Sequence, residues 1–394
     1  MRAALLAAVV AAACGSPHAS PSYITIGADA VTTAQAIAAH DHATFSVLAT
    51  SGDVAVLAID PAELDALSAA LHQQFHRCGG FMVHDSLADA RAALEPAATR
   101  PALDYTLDRG DQVRAALPAL DRERIVQTIR ELSALKNRYY QSTTGAWSSE
   151  WLRARWRSYT RRPDVTVELV DHGYAQKSVI LTIPGTTRAD QVVVLGGHLD
   201  SINMFGGKSA TAPGADDDAS GIATLDEIAR VLLVNDYRPE RTVKIMAYAA
   251  EEVGLRGSLS IAKDFQKRGI DVVGALQLDM TNYQGSDTDI WLMRDFTNAA
   301  QNAFVGRLID TYVGASWDYD ACGYACSDHA SWDRYGVPAS MPFESRKHDM
   351  NRKIHTTGDT LETSDANAHH AIKFARLGLA YAIELAKGEL GLGA

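Results

Sequence analysis

The chain is poor in the features that mark specialised classes of protein. It has four cysteines in 394 residues, too few for a small fold stapled by disulfides in place of a core. Cationic charge is short: 37 Lys and Arg stand against 48 Asp and Glu, a net charge of −11. Phosphate backbones are held by clustered Lys and Arg, so nucleic acid is not an expected partner. Past the first few residues no apolar run approaches the roughly 20 residues that a membrane-spanning helix needs, and internal repeats and low-complexity tracts are missing too. What is there is 47% hydrophobic and 22% charged. That is the balance of a globular chain with room for one large domain and a smaller one, a monomer by default.

Arg2 precedes an apolar stretch, 3–13, and then Cys14-Gly15-Ser16-Pro17. A basic residue, a short apolar core and small residues have the layout of an export signal, so residues 1–14 are expected to direct the chain out of the cytoplasm, to a secreted or periplasmic and cell-envelope setting. Cys14 also stands as in a bacterial lipoprotein cleavage site, with Ala11 where Leu is usual. Lipid anchoring through Cys14 and an ordinary cut elsewhere both fit this leader. Cys322 and Cys326 lie four apart without the second pair that a zinc finger needs, and in an oxidising compartment a local disulfide is the better reading. Cys78 has no obvious partner in the sequence.

Residues 22–95 read as a small α+β unit. Stretches 23–26 and 45–48 are strand-like, 53–59 returns after Gly52 as a hairpin, and Pro61 opens a helix with Leu64, Leu67, Leu71 and Phe75 on one face. Gly79-Gly80 breaks that helix, and 81–83 adds a further strand. Residues 96–105 have linker composition, leaving 106–394 as the main domain. A small exported unit before a linker is expected to be an inhibitory or chaperoning pro-segment; the other reading is a permanent accessory domain.

Beyond the linker, helices are expected over 121–140 and 148–158, and strands over 166–170 and 179–183 as antiparallel neighbours. Regular alternation follows: an apolar strand at 192–195 stopped by Gly196-Gly197, a helix at 220–234, a strand at 242–248, a helix at 255–266 and a strand at 272–278. A strand at 289–293, a helix at 297–313, a short strand at 338–343 and a long closing helix at 364–387 complete the chain. This order predicts an α/β fold, a three-layer sandwich around a mostly parallel central sheet.

Chemistry-bearing residues fall at the ends of those strands, where ligands bind in open α/β sheets. His198 follows the first apolar strand and Asp217 the next loop; Glu251-Glu252 follow 242–248, Asp279 ends 272–278, and His355 comes late. Each alone has an ordinary explanation. A lone histidine is mostly a hydrogen-bonded structural residue, acidic residues before a helix cap it, and Glu-Glu after a strand is mostly solvated. Together, imidazoles and carboxylates at successive strand ends suit zinc, and a bridging carboxylate would complete a pair of ions that activates water. The doubled Glu leaves one side chain free as a general base.

Five ordered blocks, Gly197-His198-Leu199-Asp200-Ser201, 212–221, 246–254, 276–283 and 322–332, closely resemble the secreted bacterial leucyl aminopeptidases of the two-zinc peptidase family 28. The resemblance runs over about 120–385, and 22–95 resembles the pro-segment of the same enzymes. It implies two Zn²⁺ held by His198, Asp217, Glu252, Asp279 and His355, with Asp217 bridging and its bond to Asp218 cis. It implies Glu251 as general base, Asp200 orienting His198, and Tyr324, beside a Cys322–Cys326 disulfide, donating to the oxyanion. The substrates would be peptides, shortened one N-terminal residue at a time.

An apolar side-chain pocket would be formed by Met280, Met293, Met341, Phe343, Met350 and Ile354, with Leu the natural guest. Lys347 and Met350 replace aromatic positions of the family pattern within a basic segment, 345–353. A wider or more polar specificity than strict Leu preference is therefore expected, unless these cations point into solvent. Two other classes stay open: a carboxypeptidase-type relative using the basic segment to hold a substrate carboxylate, and a catalytically silent binding domain.

Overall fold

The computed structural model describes residues 20–95 and 103–391. The expected leader, Cys14 and most of the expected linker lie outside them. Among the described residues, no helix is long and apolar enough to cross a membrane.

The N-terminal unit is a four-stranded antiparallel sheet with helices. Its strands are β1 (Ser22–Gly27), β2 (Phe45–Ser51), β3 (Val54–Ile59) and β4 (Phe81–His84), in the order β2-β3-β1-β4. Helices α1 (Val31–His40) and α2 (Leu64–Phe75) pack against each other and α3 (Leu87–Ala92) against β1 and β4. Ile24, Ile26, Leu57, Ile59, Leu67, Leu71 and Phe81 form a core of its own. Helix α2 ends where His76 takes a left-handed conformation, and Gly79 and Gly80, also at positive φ, turn the chain back into β4. That left-handed geometry is the one glycine adopts without steric cost.

The larger unit opens with α4 (Gly110–Ala116), α5 (Arg122–Ser133) and α6 (Thr143–Ser158). It continues with β5 (Thr166–Val170), β6 (Ser178–Ile183), β7 (Arg188–His198), α7 (Ala219–Val234), β8 (Arg241–Tyr248), α8 (Arg256–Lys267) and β9 (Asp271–Gln277). Then come β10 (Ile290–Met293), α9 (Ala299–Leu308), β11 (Trp317–Asp320), α10 (His329–Arg334), β12 (Ala339–Ser340), β13 (Pro342–Phe343) and α11 (Ala371–Ala386). The six-stranded central sheet has the order β12-β9-β7-β8-β6-β5. Its β12, β9, β7 and β8 are parallel, and β6 and β5 pair antiparallel at one edge. The unbroken apolar run of β7 follows from burial on both faces: Val193 and Leu195 meet α7 and α11, while Val192 and Val194 meet α8 and α10. This is the expected three-layer sandwich.

Several expected boundaries differ. Gly196-Gly197 do not stop β7, which runs on to His198. A Cβ on Gly196 would lie 2.4 Å from the Tyr248 ring and one on Gly197 2.7 Å from the Leu278 carbonyl, so these glycines serve close packing inside the strand. The 338–343 strand is two: β12 extends the central sheet, whereas β13 joins β10 and β11 in a side sheet. Helix α5 stops at Ser133 because the following chain carries the buried Arg138, which donates to the carbonyls of Leu199, Pro213 and Gly214. The closing helix begins only at Ala371, since 361–364 form a separate short turn. Leu103 and Tyr105, placed in the linker from sequence, pack on the larger core, with Tyr105 stacked on Phe304.

Several histidines are folded in uncharged. His84, buried with Nε2 2.9 Å from Thr25 Oγ1, is pulled down to about 4, by burial first and then by Arg334. An unfolded histidine titrates near 6.5, so below that pH the unfolded chain binds a proton that the fold refuses, and stability falls as pH falls towards 4. Replacement His84→Gln removes this penalty. Relative to the parent, the melting temperature of the variant should rise as pH drops from 7 to 4.5, by an amount equivalent to on the order of 2 kcal/mol; a difference independent of pH would contradict the assignment.

Candidate metal centre

Strands β9, β7 and β8 lie side by side and parallel, so their carboxyl ends open at one edge of the sheet. His198 is the last residue of β7; Glu251 and Glu252 follow β8 in a tight corner before α8; Asp279 follows β9. Asp217 sits in the loop leading to α7, and the Asp217–Asp218 peptide bond is cis. His355 arrives from the loop between β13 and α11. All are buried.

Asp217 stands between the two histidines. Its Oδ1 is 2.9 Å from His198 Nε2 and its Oδ2 is 3.1 Å from His355 Nε2. Asp279 Oδ1 approaches His198 Nε2 at 3.5 Å, and Glu252 Oε2 approaches His355 Nε2 at 2.6 Å. One carboxylate is thus shared by two sets, each with its own imidazole and its own second carboxylate. Yet Asp217 Oδ2, both oxygens of Glu251 and of Glu252, and both ring nitrogens of His355 make no aligned hydrogen bond. Buried polar atoms are normally paired. Donor atoms that crowd together without bonding one another are what a cation-binding pocket presents, and imidazole with carboxylate is the donor set of zinc. The residues fit a divalent ion on each side of Asp217.

The neighbouring acids are occupied otherwise. Asp218 caps α7, accepting from the amides of Gly221 and Met280 with one oxygen and that of His198 with the other. Asp200 lies 3.4 Å from His198 Nδ1 and accepts from the amides of both Glu251 and Glu252, at 3.0 and 3.2 Å. It therefore fixes the imidazole and the acidic corner together. Burial pushes Glu251 well above the usual carboxylate range, opposed by His198 and reinforced by Asp328 and Glu252. Asp217 goes the other way: despite burial, the neighbouring imidazoles of His198 and His355 hold it low.

Met280, Met293, Met341, Phe343, Met350 and Ile354, the expected pocket, form one buried cluster with Tyr324 and Cys326. Cys322 and Cys326 are disulfide-bonded. The expected pocket residues are thus brought together beside the histidines. Lys347 does not point into open solvent: its Nζ donates to the His76 carbonyl at 3.1 Å and lies 2.9 Å from Met350 Sδ. Arg346 covers the Trp291 ring at 4.6 Å.

Several residues at the site were not among the site residues expected from the sequence. Trp291 and Cys78 belong to the pocket cluster. His72, from α2, places its ring 4.4 Å from that of His355 and is lowered to about 3, chiefly by burial. Asp359 accepts from the amides of Asp216 and Asp217, and Asn351 donates to both Asp216 and Asp359.

An α/β sandwich with imidazoles and carboxylates gathered at the carboxyl ends of its parallel strands defines a metal-dependent hydrolase. The profile of peptidase family M28 matches residues 178–380. Leucine aminopeptidase 1 of Coccidioides posadasii is 39% identical over 289 residues, 70% of this chain and 74% of that protein. Leucine aminopeptidase 1 of Aspergillus niger is 36% identical over 302 residues, 71% and 75% of the two. The LapA aminopeptidase of Legionella pneumophila superposes with a TM-score of 0.80 at 29% identity over 93% of this chain and 98% of its own. That coverage is more than the larger unit alone accounts for, so the likeness takes in the N-terminal unit. The chain belongs to peptidase family M28.

Asp200 gives the first test of the centre. Asp200→Asn keeps the size of the side chain but removes the charge that faces His198 Nδ1. Partners behind metal-ligating histidines contribute about 10–100-fold to metal affinity, and a loss of that size is expected in a competition titration with a zinc chelator. Unchanged affinity would remove Asp200 from the centre.

Proposed function

We propose that the protein is a two-metal aminopeptidase that removes N-terminal, mostly apolar residues from peptides. The observation that carries this reading is Asp217, one oxygen towards His198 and the other towards His355, with Glu251 unpaired beside it. His198, Asp217 and Asp279 would hold one zinc ion, and His355, Asp217 and Glu252 the other. When bound, such a pair polarises the scissile carbonyl and makes water acidic enough to attack at neutral pH.

The remaining steps belong to side chains. Glu251 takes the proton from the attacking water and returns it to the leaving amine; burial raises its proton affinity and suits it to carry the proton between the two. The Tyr324 hydroxyl donates to the developing oxyanion. The substrate side chain enters the methionine-rich pocket, whose flexible thioethers adapt to several apolar shapes. Asp200 positions and does not touch the substrate. With Lys347 at the rim, the pocket accepts polar residues as well as Leu.

The N-terminal unit is, on this reading, a covering pro-segment, and residues 1–14 an export leader. It is seated on the site: Ser68 Oγ donates to the Glu252 carbonyl at 2.8 Å, the Cys78 amide to Tyr324 Oη at 3.0 Å and the Val83 amide to the Gly254 carbonyl at 3.0 Å. The carboxypeptidase alternative draws no support from the basic segment, because Lys347 and Arg346 are engaged with His76 and Trp291.

A mass-spectrometric time course on a Leu-leading peptide tests the proposal. Residues should leave stepwise from the N-terminus, and a zinc chelator should stop the reaction. Glu251→Gln should slow it by roughly 10²- to 10⁴-fold, the range of general acid–base catalysis, without loss of bound zinc. Shortening from the C-terminus would overturn the assignment. A side-chain profile confined to Leu and Ile would overturn the role given to Lys347.

A further inference from the structure

The turn 76–80 penetrates further than a cover needs to. Cys78 is 8% exposed and packs among the pocket residues Met280, Met350, Ile354 and Tyr324. Its sulfur, a carboxylate oxygen of Asp217 and a ring nitrogen of His355 all lie within 4.8 Å of one another. A buried free cysteine is ordinarily a small apolar filler. This one faces a carboxylate and an imidazole whose nearby atoms have no aligned hydrogen bond.

We propose that Cys78 is an internal ligand of the metal centre: in the full chain its sulfur takes the place at the ions that the substrate requires and keeps the enzyme latent. The inference rests on the two-metal reading above and adds the group that blocks it. Thiolate is a preferred donor for zinc, whereas the position it would take must stay open for catalysis. Binding is balanced by one proton, since the thiol gives up its S–H hydrogen to solvent as the sulfur meets the metal; reprotonation accompanies release.

The rest of the turn is built to hold the sulfur there. The Cys78 amide donates to Tyr324 Oη, which seats the turn against the group assigned to the oxyanion. Lys347 Nζ anchors the His76 carbonyl on one side, and Ser68 anchors the Glu252 carbonyl on the other. A Cβ on Gly79 would lie 3.6 Å from the Glu251 carbonyl, which brings the backbone of the turn against the acidic corner itself. The sulfur beside the metal position, the amide against Tyr324 and the side chain within the pocket cluster thus all belong to Cys78.

Cobalt(II) reports on this directly. The full chain would carry Cys14→Ser, and with Cys322 and Cys326 paired Cys78 is then the one free thiol. Loaded with cobalt, this protein should show a near-ultraviolet sulfur-to-cobalt charge-transfer band that is missing from Cys78→Ser and from Cys78→Ala. The visible d–d bands of cobalt should appear in all three. Hydrolysis of a leucyl anilide should be roughly tenfold or more faster in Cys78→Ser than in the parent, because activity scales with the fraction of chains whose site is open. Visible bands without the near-ultraviolet band in the parent would overturn the latch and leave the metal centre standing. Failure of all three proteins to take up cobalt would overturn the two-metal reading and the latch with it.

Discussion

Carboxylates crowd the end of the central sheet. Asp200, Asp216, Asp217, Asp218, Glu251, Glu252, Asp279, Asp328, Glu344 and Asp359 are all buried there, and like charges a few ångströms apart in a poorly polarisable interior repel by several kcal/mol. The fold answers this in three ways. Backbone amides point at Asp200, Asp218 and Asp359. Protons are retained: burial lifts Asp216 to about 6, and lifts Glu344 well above its usual range, with Asp216 adding to it. Arg138 supplies positive charge, its buried guanidinium set among Asp218, Asp359, Asp200 and Asp217. What these leave uncompensated is concentrated on Asp217, Glu251, Glu252 and Asp279, where divalent ions would neutralise it.

That constraint shapes the backbone around the site. Ala250, Met280 and His355 all have positive φ, conformations that side-chain-bearing residues adopt at a cost and that persist where the surroundings over-determine them. Each is a ligand-type residue or adjoins one. The amides of Glu251, Glu252 and Met280 are then aimed at Asp200 and Asp218, so the acids that need donors and the corners that need fixing stabilise each other. The parallel order β9-β7-β8 makes this possible by bringing three strand ends to adjacent positions.

Much of this was legible in the linear chain. Apolar runs ending in His198, Glu251 and Asp279 specify both the strands and the edge where chemistry gathers, because a strand buried on both faces leaves its polar residues only at its ends. His355 lacks such a strand: the sequence offered it only as a late histidine, and its place among the ligands came from resemblance to a family. Less legible were residues whose meaning is purely spatial. Cys78 had no partner in sequence, since its neighbours Asp217 and His355 lie far along the chain. Gly196-Gly197 read as a stop signal, because the Tyr248 ring that demands a bare backbone there comes from another strand. The expected start of α11 came too early: Leu361–Ser364 form a separate short turn, and Asp365 and Ala366 follow it at positive φ.

The order of the parts along the chain has a consequence in time. The turn bearing Cys78 leaves the ribosome before His198, and well before His355. At roughly 5–20 residues per second, tens of seconds separate the first from the last. The N-terminal unit has its own core, and all of its residues precede those of the centre. The final loop to arrive, the one carrying His355, thus closes the site around a turn already waiting in it. If the N-terminal unit is the proposed pro-segment, this order leaves no interval in which the centre would be assembled and uncovered.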